Sequence, residues 1–179
     1  MTLTDNQDEP VYNDSHIEII LKLLRDEYAT APEEPVYISY RSPQREFAGK
    51  LANDLNAAGI PAWIDEMMDI GVDWREALWT ALKQAKAMVV IMETDIATST
   101  IIQKEILIAR TRNLPTFPIV PAHIPEGSDV EREMRHTLDE TYEMRLLSEI
   151  QWLRPVPDYD SMLEKLVSHL RPLWDKDES

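Results

Sequence analysis

The chain has no cysteine among its 179 residues, which excludes disulfides and thiolate metal sites. Its four glycines (Gly49, Gly59, Gly71 and Gly127) form neither a G-x-G-x-x-G fingerprint nor a Walker A loop. A conventional dinucleotide fold and a P-loop NTPase are therefore not expected. A G-x-S-x-G elbow is also missing, and His16, His123, His136 and His169 are scattered with no H-E-x-x-H or other metal-ligand spacing. Basic charge is scarce. Eighteen Lys and Arg stand against 33 Asp and Glu, a net charge of −15, which argues against nucleic acid or an anionic membrane as the main partner. An anionic ligand would need a local cluster of cations. No apolar run approaches a membrane-spanning length, and the polar start from Met1 to Pro10 lacks a signal peptide's hydrophobic region. The expectation is a soluble, cytoplasmic protein.

What is present is one domain's worth of core, with 44% hydrophobic residues. Residues 1–34 read as an acidic, disordered start and an amphipathic helix, with Ile17, Ile20, Leu21, Leu24 and Tyr28 at helical spacing. Residues 35–175 form the main domain and 176–179 an acidic tail. In the main domain strand and helix signals alternate: strands at 36–40, 60–64, 87–92, 116–120 and 149–153, helices at 44–58, 73–86, 100–112, 130–147 and 159–174. Residues 87–92 are continuously apolar, the mark of a strand covered on both faces. Gly59 fits a left-handed helix cap, and Thr100-Ile-Ile-Gln103 matches a capping box. This alternation predicts an α/β, flavodoxin-like three-layer fold with a central five-stranded parallel sheet and helices on both faces.

One carboxylate is out of place. In the helix 100–112, Glu105 projects among Ile101, Ile102, Ile108 and Ala109 at about 100° per residue. A charge in an apolar stripe must be paired, neutralised or aimed into a cleft, unless it is partly exposed and its stem passes its neighbours. The helix follows a central strand, so its first turns lie near the carboxyl edge of the sheet, where α/β ligands bind. The same edge carries Ser39-Tyr40-Arg41, Asp65-Glu66 and Glu93-Thr94. Arg41 is either a solvated loop cation or a guanidinium fork for phosphate, and Tyr40 either a core residue or an aromatic or hydroxyl contact for a ligand. Trp63 reads as strand packing, and Trp74 as core or cleft wall. Asp65-Glu66 lacks further ligands for a metal site. His123 follows a strand and reads best as a solvated loop histidine.

These segments together resemble the Toll/interleukin-1 receptor (TIR) domain family, especially its prokaryotic members. Val36-Tyr-Ile-Ser-Tyr-Arg41 is similar to the family's opening strand, and Gly59-Ile-Pro-Ala-Trp-Ile-Asp65 to its second strand entering the BB loop. Gly71-Val-Asp-Trp-Arg75 is similar to the end of that loop, Ser99-Thr-Ile-Ile-Gln-Lys-Glu105 to the Ser-x-Trp-x-x-x-Glu segment, and Leu114-Pro-Thr-Phe-Pro-Ile119 to the strand that follows. The resemblance spans Val36 to about Trp174.

Many members of that family cleave NAD+ at the nicotinamide–ribose bond, and the family's catalytic glutamate falls on Glu105. By resemblance, Tyr40 and Arg41 line the cleft under the first loop and Asp65 begins the BB loop that bounds it; Trp74, read from the residues as core or cleft wall, is the further candidate substrate contact. NAD+ is then a substrate, no resident cofactor or metal is implied, and the product is ADP-ribose or its cyclic form. Self-association through the BB loop at residues 65–71 is implied too, with a separately encoded sensor or another TIR protein as a further partner, in immune or stress signalling such as antiviral defence. Ile101 departs from the pattern, standing where many active members carry tryptophan. The alternative is a non-catalytic adaptor or decoy acting through TIR–TIR contacts. A receiver domain with Asp65 as phosphoacceptor fits poorly, because Ser39-Tyr40 stands where a receiver has an acidic pair.

Overall fold

The computed structural model describes residues 34–65 and 74–175. The helix expected before residue 34, most of the expected BB loop and the tail 176–179 lie outside them. Strands β1 (Val36–Ser39), β2 (Ala62–Trp63), β3 (Ala87–Ile91) and β4 (Thr116–Ile119) form a parallel sheet in the order β2-β1-β3-β4. The central strand β1 pairs Tyr37 with Trp63 on one side and Met88 on the other, and Ser39 with Val90.

The expected fifth strand is a correction. Only Leu153 joins the sheet, through a single parallel bridge to Ile119. Its amide donates to the Pro118 carbonyl and its carbonyl accepts from Val120, both at 2.8 Å. Helix α5 (Arg145–Glu149) runs almost to this point, and Pro155, which has no amide to donate, stands two residues beyond it. Little chain is left to pair. The arrangement keeps the flavodoxin-like order with its last strand reduced to a bridge.

The remaining helices are α1 (Arg45–Ala57), α2 (Trp74–Gln84), α3 (Thr100–Thr111), α4 (Asp129–Glu140) and α6 (Tyr159–Trp174). The single helix expected over 130–147 is divided into α4, a 3-10 turn at Tyr142–Met144 and α5. Extended backbone at Thr141 makes the break, and Met144 and Leu147 beyond it are fully buried. Strand alternation separates two cores. Val36, Ile38, Val89 and Ile91 pack against Leu51 and Leu55 of α1 and Leu166 and Leu170 of α6. Tyr37, Met88 and Val90 face Leu78 and Leu82 of α2, Ile102 and Ile106 of α3, and Met134 and Leu138 of α4. Gly59 has φ of +79°, the left-handed geometry expected after α1.

Helix α3 starts one residue earlier than the capping-box spacing implies. Ser99 is the cap, its hydroxyl accepting from the Ile102 amide at 3.4 Å, while Gln103 donates to the Ala97 carbonyl at 2.6 Å. The buried positions are Ile102, Glu105, Ile106 and Ala109, an i, i+3, i+4, i+7 set. Ile101, expected on that stripe, is instead 40% exposed.

Candidate active site

Glu105 is buried to 3% exposure, one turn into α3 and against β1. Period-two alternation sends Tyr37 and Ser39 to the face of β1 that meets this helix. Each supplies one donor. The Tyr37 hydroxyl donates to Glu105 Oε1 at 2.7 Å, and the Ser39 hydroxyl donates to Oε2 at 2.5 Å. Tyr37 is held from the neighbouring strand, its ring stacked on Trp63 with centroids 5.4 Å apart.

Burial pushes the Glu105 carboxyl up to about 7. The Ser39 and Tyr37 hydrogen bonds pull it down, and the negative charge of Asp65 pushes it up again. Burial also raises the Tyr37 phenol well above its ordinary range, with the charge and hydrogen bond of Glu105 adding to it, so Tyr37 stays protonated as a donor. The site thus holds a carboxylate poised to exchange a proton near neutrality.

Above it is the topological switch point. Helix α1, following β1, packs on one face of the sheet, whereas α3, following β3, packs on the other, so the chain reverses its winding direction between β1 and β3, the place where α/β folds bind ligands. Polar contacts span its rim. Arg41 Nη2 lies 2.6 Å from Asp95 Oδ2 and Gln44 Nε2 donates to Glu93 Oε2 at 2.7 Å. His123, about half exposed, lies 3.2 Å from Glu93 Oε1, which also accepts from the Thr94 amide. Burial raises the Glu93 carboxyl, but the donors Gln44, Thr94 and His123 outweigh it and hold it below its usual range. The Tyr40 hydroxyl donates to Asp65 Oδ1.

The structure therefore groups Glu105, Tyr40 and Asp65 around the carboxyl ends of β1 and β2, while Arg41 stands on the same rim engaged by Asp95. Trp74 opens α2, and its side chain lies outside the described residues. Reading the sequence alone missed Tyr37 and Ser39 as partners of Glu105, and the Gln44–Glu93–His123 cluster. A signal for the first pair was available, since hydroxyls on a strand covered on both faces need buried partners. Among the described residues, no group of three or more His, Asp or Glu is arranged to hold a metal ion. None of the described helices is long and apolar enough to cross a membrane.

Comparison with known proteins agrees with this architecture. One solved structure similar to this chain is that of the TIR domains in the activated Roq1 resistosome recognising the pathogen effector XopQ, at 16% identity and a TM-score of 0.60. The match covers 76% of this chain and 99% of that one. Another is the TIR domain of the Toll-related receptor TRR-2 from Hydra magnipapillata, at 21% identity and a TM-score of 0.54, covering 76% and 97% respectively. No curated protein matches this chain. The family model for the TIR domain matches residues 36–167, and the chain belongs to the TIR domain family.

Proposed function

We propose that this TIR domain cleaves NAD+ at the nicotinamide–ribose bond, with Glu105 as the catalytic carboxylate. The observation that supports this reading most is a buried glutamate, raised to about 7, at the ligand-binding edge of the sheet. Nicotinamide in NAD+ is already a cationic leaving group, so its departure needs no general acid. The C1′–N bond breaks with its electron pair going to the ring nitrogen, leaving an oxocarbenium-like ribosyl centre. An ionised Glu105 stabilises that positive charge from a low-dielectric site. Water then adds at C1′ and loses a proton, giving ADP-ribose, nicotinamide and H+; attack by an internal nucleophile gives a cyclic product. A carboxylate tuned near neutrality is suited to take the proton released at this step. Arg41 supplies a cation for the diphosphate once it leaves Asp95, and Tyr40 lines the same mouth.

The resting carboxylate is closed off, which fits an enzyme that becomes active on self-association. Concentrated protein incubated with NAD+ should release nicotinamide, and Glu105→Ala should abolish the release. Equal release by the variant, or none from wild type under crowding and forced oligomerisation, would sink the reading. A second reading, a non-catalytic adaptor binding other TIR domains, draws on the exposure of Ile101 and the occupation of both Glu105 oxygens by internal donors. It predicts that Glu105→Ala leaves partner capture intact, whereas changes in residues 65–71 abolish it.

A further inference from the structure

We infer that Tyr37 and Ser39 are positioning residues that fix the direction of the Glu105 carboxylate and keep it available in its charged form. The inference rests on the proposed catalytic role of Glu105 and adds two residues to it.

The geometry is specific. Each carboxylate oxygen receives one hydroxyl, from residues two apart on the same face of β1, so the head group is held at both ends. Both donors are as buried as their acceptor, at 2% exposure, so neither bond is diluted by solvent. Both stand on a central strand, paired on one side with β2 and on the other with β3. Tyr37 is further locked by its stack on Trp63. A carboxylate held by rigid elements in this way keeps its direction when substrate enters.

The second effect is on charge. Burial and Asp65 both favour the neutral acid, and Tyr37 and Ser39 are the groups that oppose them. Tyr40 enters indirectly, through its hydrogen bond to Asp65 and its effect on Tyr37. Deleting either donor leaves desolvation less opposed, so the carboxyl must titrate at higher pH. At neutral pH a smaller fraction of the protein then carries the charge that stabilises the ribosyl cation.

The test is a titration that does not depend on turnover. The protein is labelled with 13C at the glutamate side-chain carboxyls, the Glu105 resonance is assigned by its loss in Glu105→Gln, and its midpoint is followed with pH. Tyr37→Phe keeps the ring stack and Ser39→Ala keeps the strand. Each should raise the midpoint by about one pH unit, a roughly tenfold change in the ionisation equilibrium. Ser39→Thr, which keeps a hydroxyl, should restore most of the wild-type value. The rising limb of the pH profile for nicotinamide release should move upward in step. Unchanged midpoints in Tyr37→Phe and Ser39→Ala, or a Ser39→Thr midpoint equal to that of Ser39→Ala, would overturn the inference. If wild type releases no nicotinamide while the midpoints shift as stated, the catalytic reading fails and the electrostatic role of the pair stands.

Discussion

At the scale of single residues, Glu105 sets stability against ionisation. Its carboxyl titrates near 7 in the folded chain, against an ordinary value of 4.5. Between those values the folded state binds more protons than the unfolded state, so stability falls as pH rises through this window and levels off above it. Charging the buried group costs on the order of 3 kcal/mol. Glu105→Gln should therefore leave stability nearly unchanged at pH 5 and increase it at pH 8 in denaturant unfolding. Equal effects at both pH values would contradict the buried, perturbed carboxylate. That Glu105 is unusual was legible from one helix's periodicity. What holds it was not, because the partners lie 66 and 68 residues away along the chain and meet it only when β1 and α3 are packed together. Ile101 shows the opposite limit. It stands four residues before Glu105, at the edge of the stripe formed by Ile102, Glu105, Ile106 and Ala109, and faces solvent, and the angular spacing of one helix does not say where that edge falls.

At the scale of elements, the reduced fifth strand is tied down by side chains rather than by a ladder. Glu131 of α4, 6% exposed, accepts from the Gly127 amide and lies 2.8 Å from Arg154, just after the Leu153 bridge. Arg135 approaches the same carboxylate and stacks over Trp152 at 3.4 Å. Burial raises the Glu131 carboxyl, yet the Gly127, Arg154 and Arg135 contacts outweigh it and hold it below its usual range. Its contribution is present above the unfolded pKa and lost as pH falls through the depressed folded value. Arg154→Met should destabilise the domain by roughly 3 kcal/mol at neutral pH, because it leaves a buried carboxylate short of a cation. The loss should shrink in acid, and a thermal-melting series across pH checks both points. The alternating signals made the order of elements readable, including α1, α6 and the fully apolar β3. The break at Thr141 and the shortened last strand were hidden because a charged helix with weak periodicity looks continuous until Met144 and Leu147 are seen to turn inward.

At the scale of the whole molecule, net charge opposes contact between copies of this chain. Copies carrying −15 repel one another, and the repulsion is screened over about 8 Å at physiological ionic strength. If activity depends on self-association, nicotinamide release per molecule should rise with protein concentration. At fixed concentration it should also rise as salt goes from low to physiological levels. A rate per molecule that is independent of concentration, measured alongside oligomer size by light scattering, would contradict that dependence.

The proposed function requires the charged form of Glu105 to assist the bond cleavage. The most direct measurement is nicotinamide release from NAD+ as a function of pH, for wild type and Glu105→Gln at matched, high protein concentration. The wild-type rate should climb through about pH 7 as Glu105 ionises, and the variant, with a carboxamide in place of the carboxylate, should release none at any pH. Release by Glu105→Gln at the wild-type rate, with the same pH dependence, would contradict it.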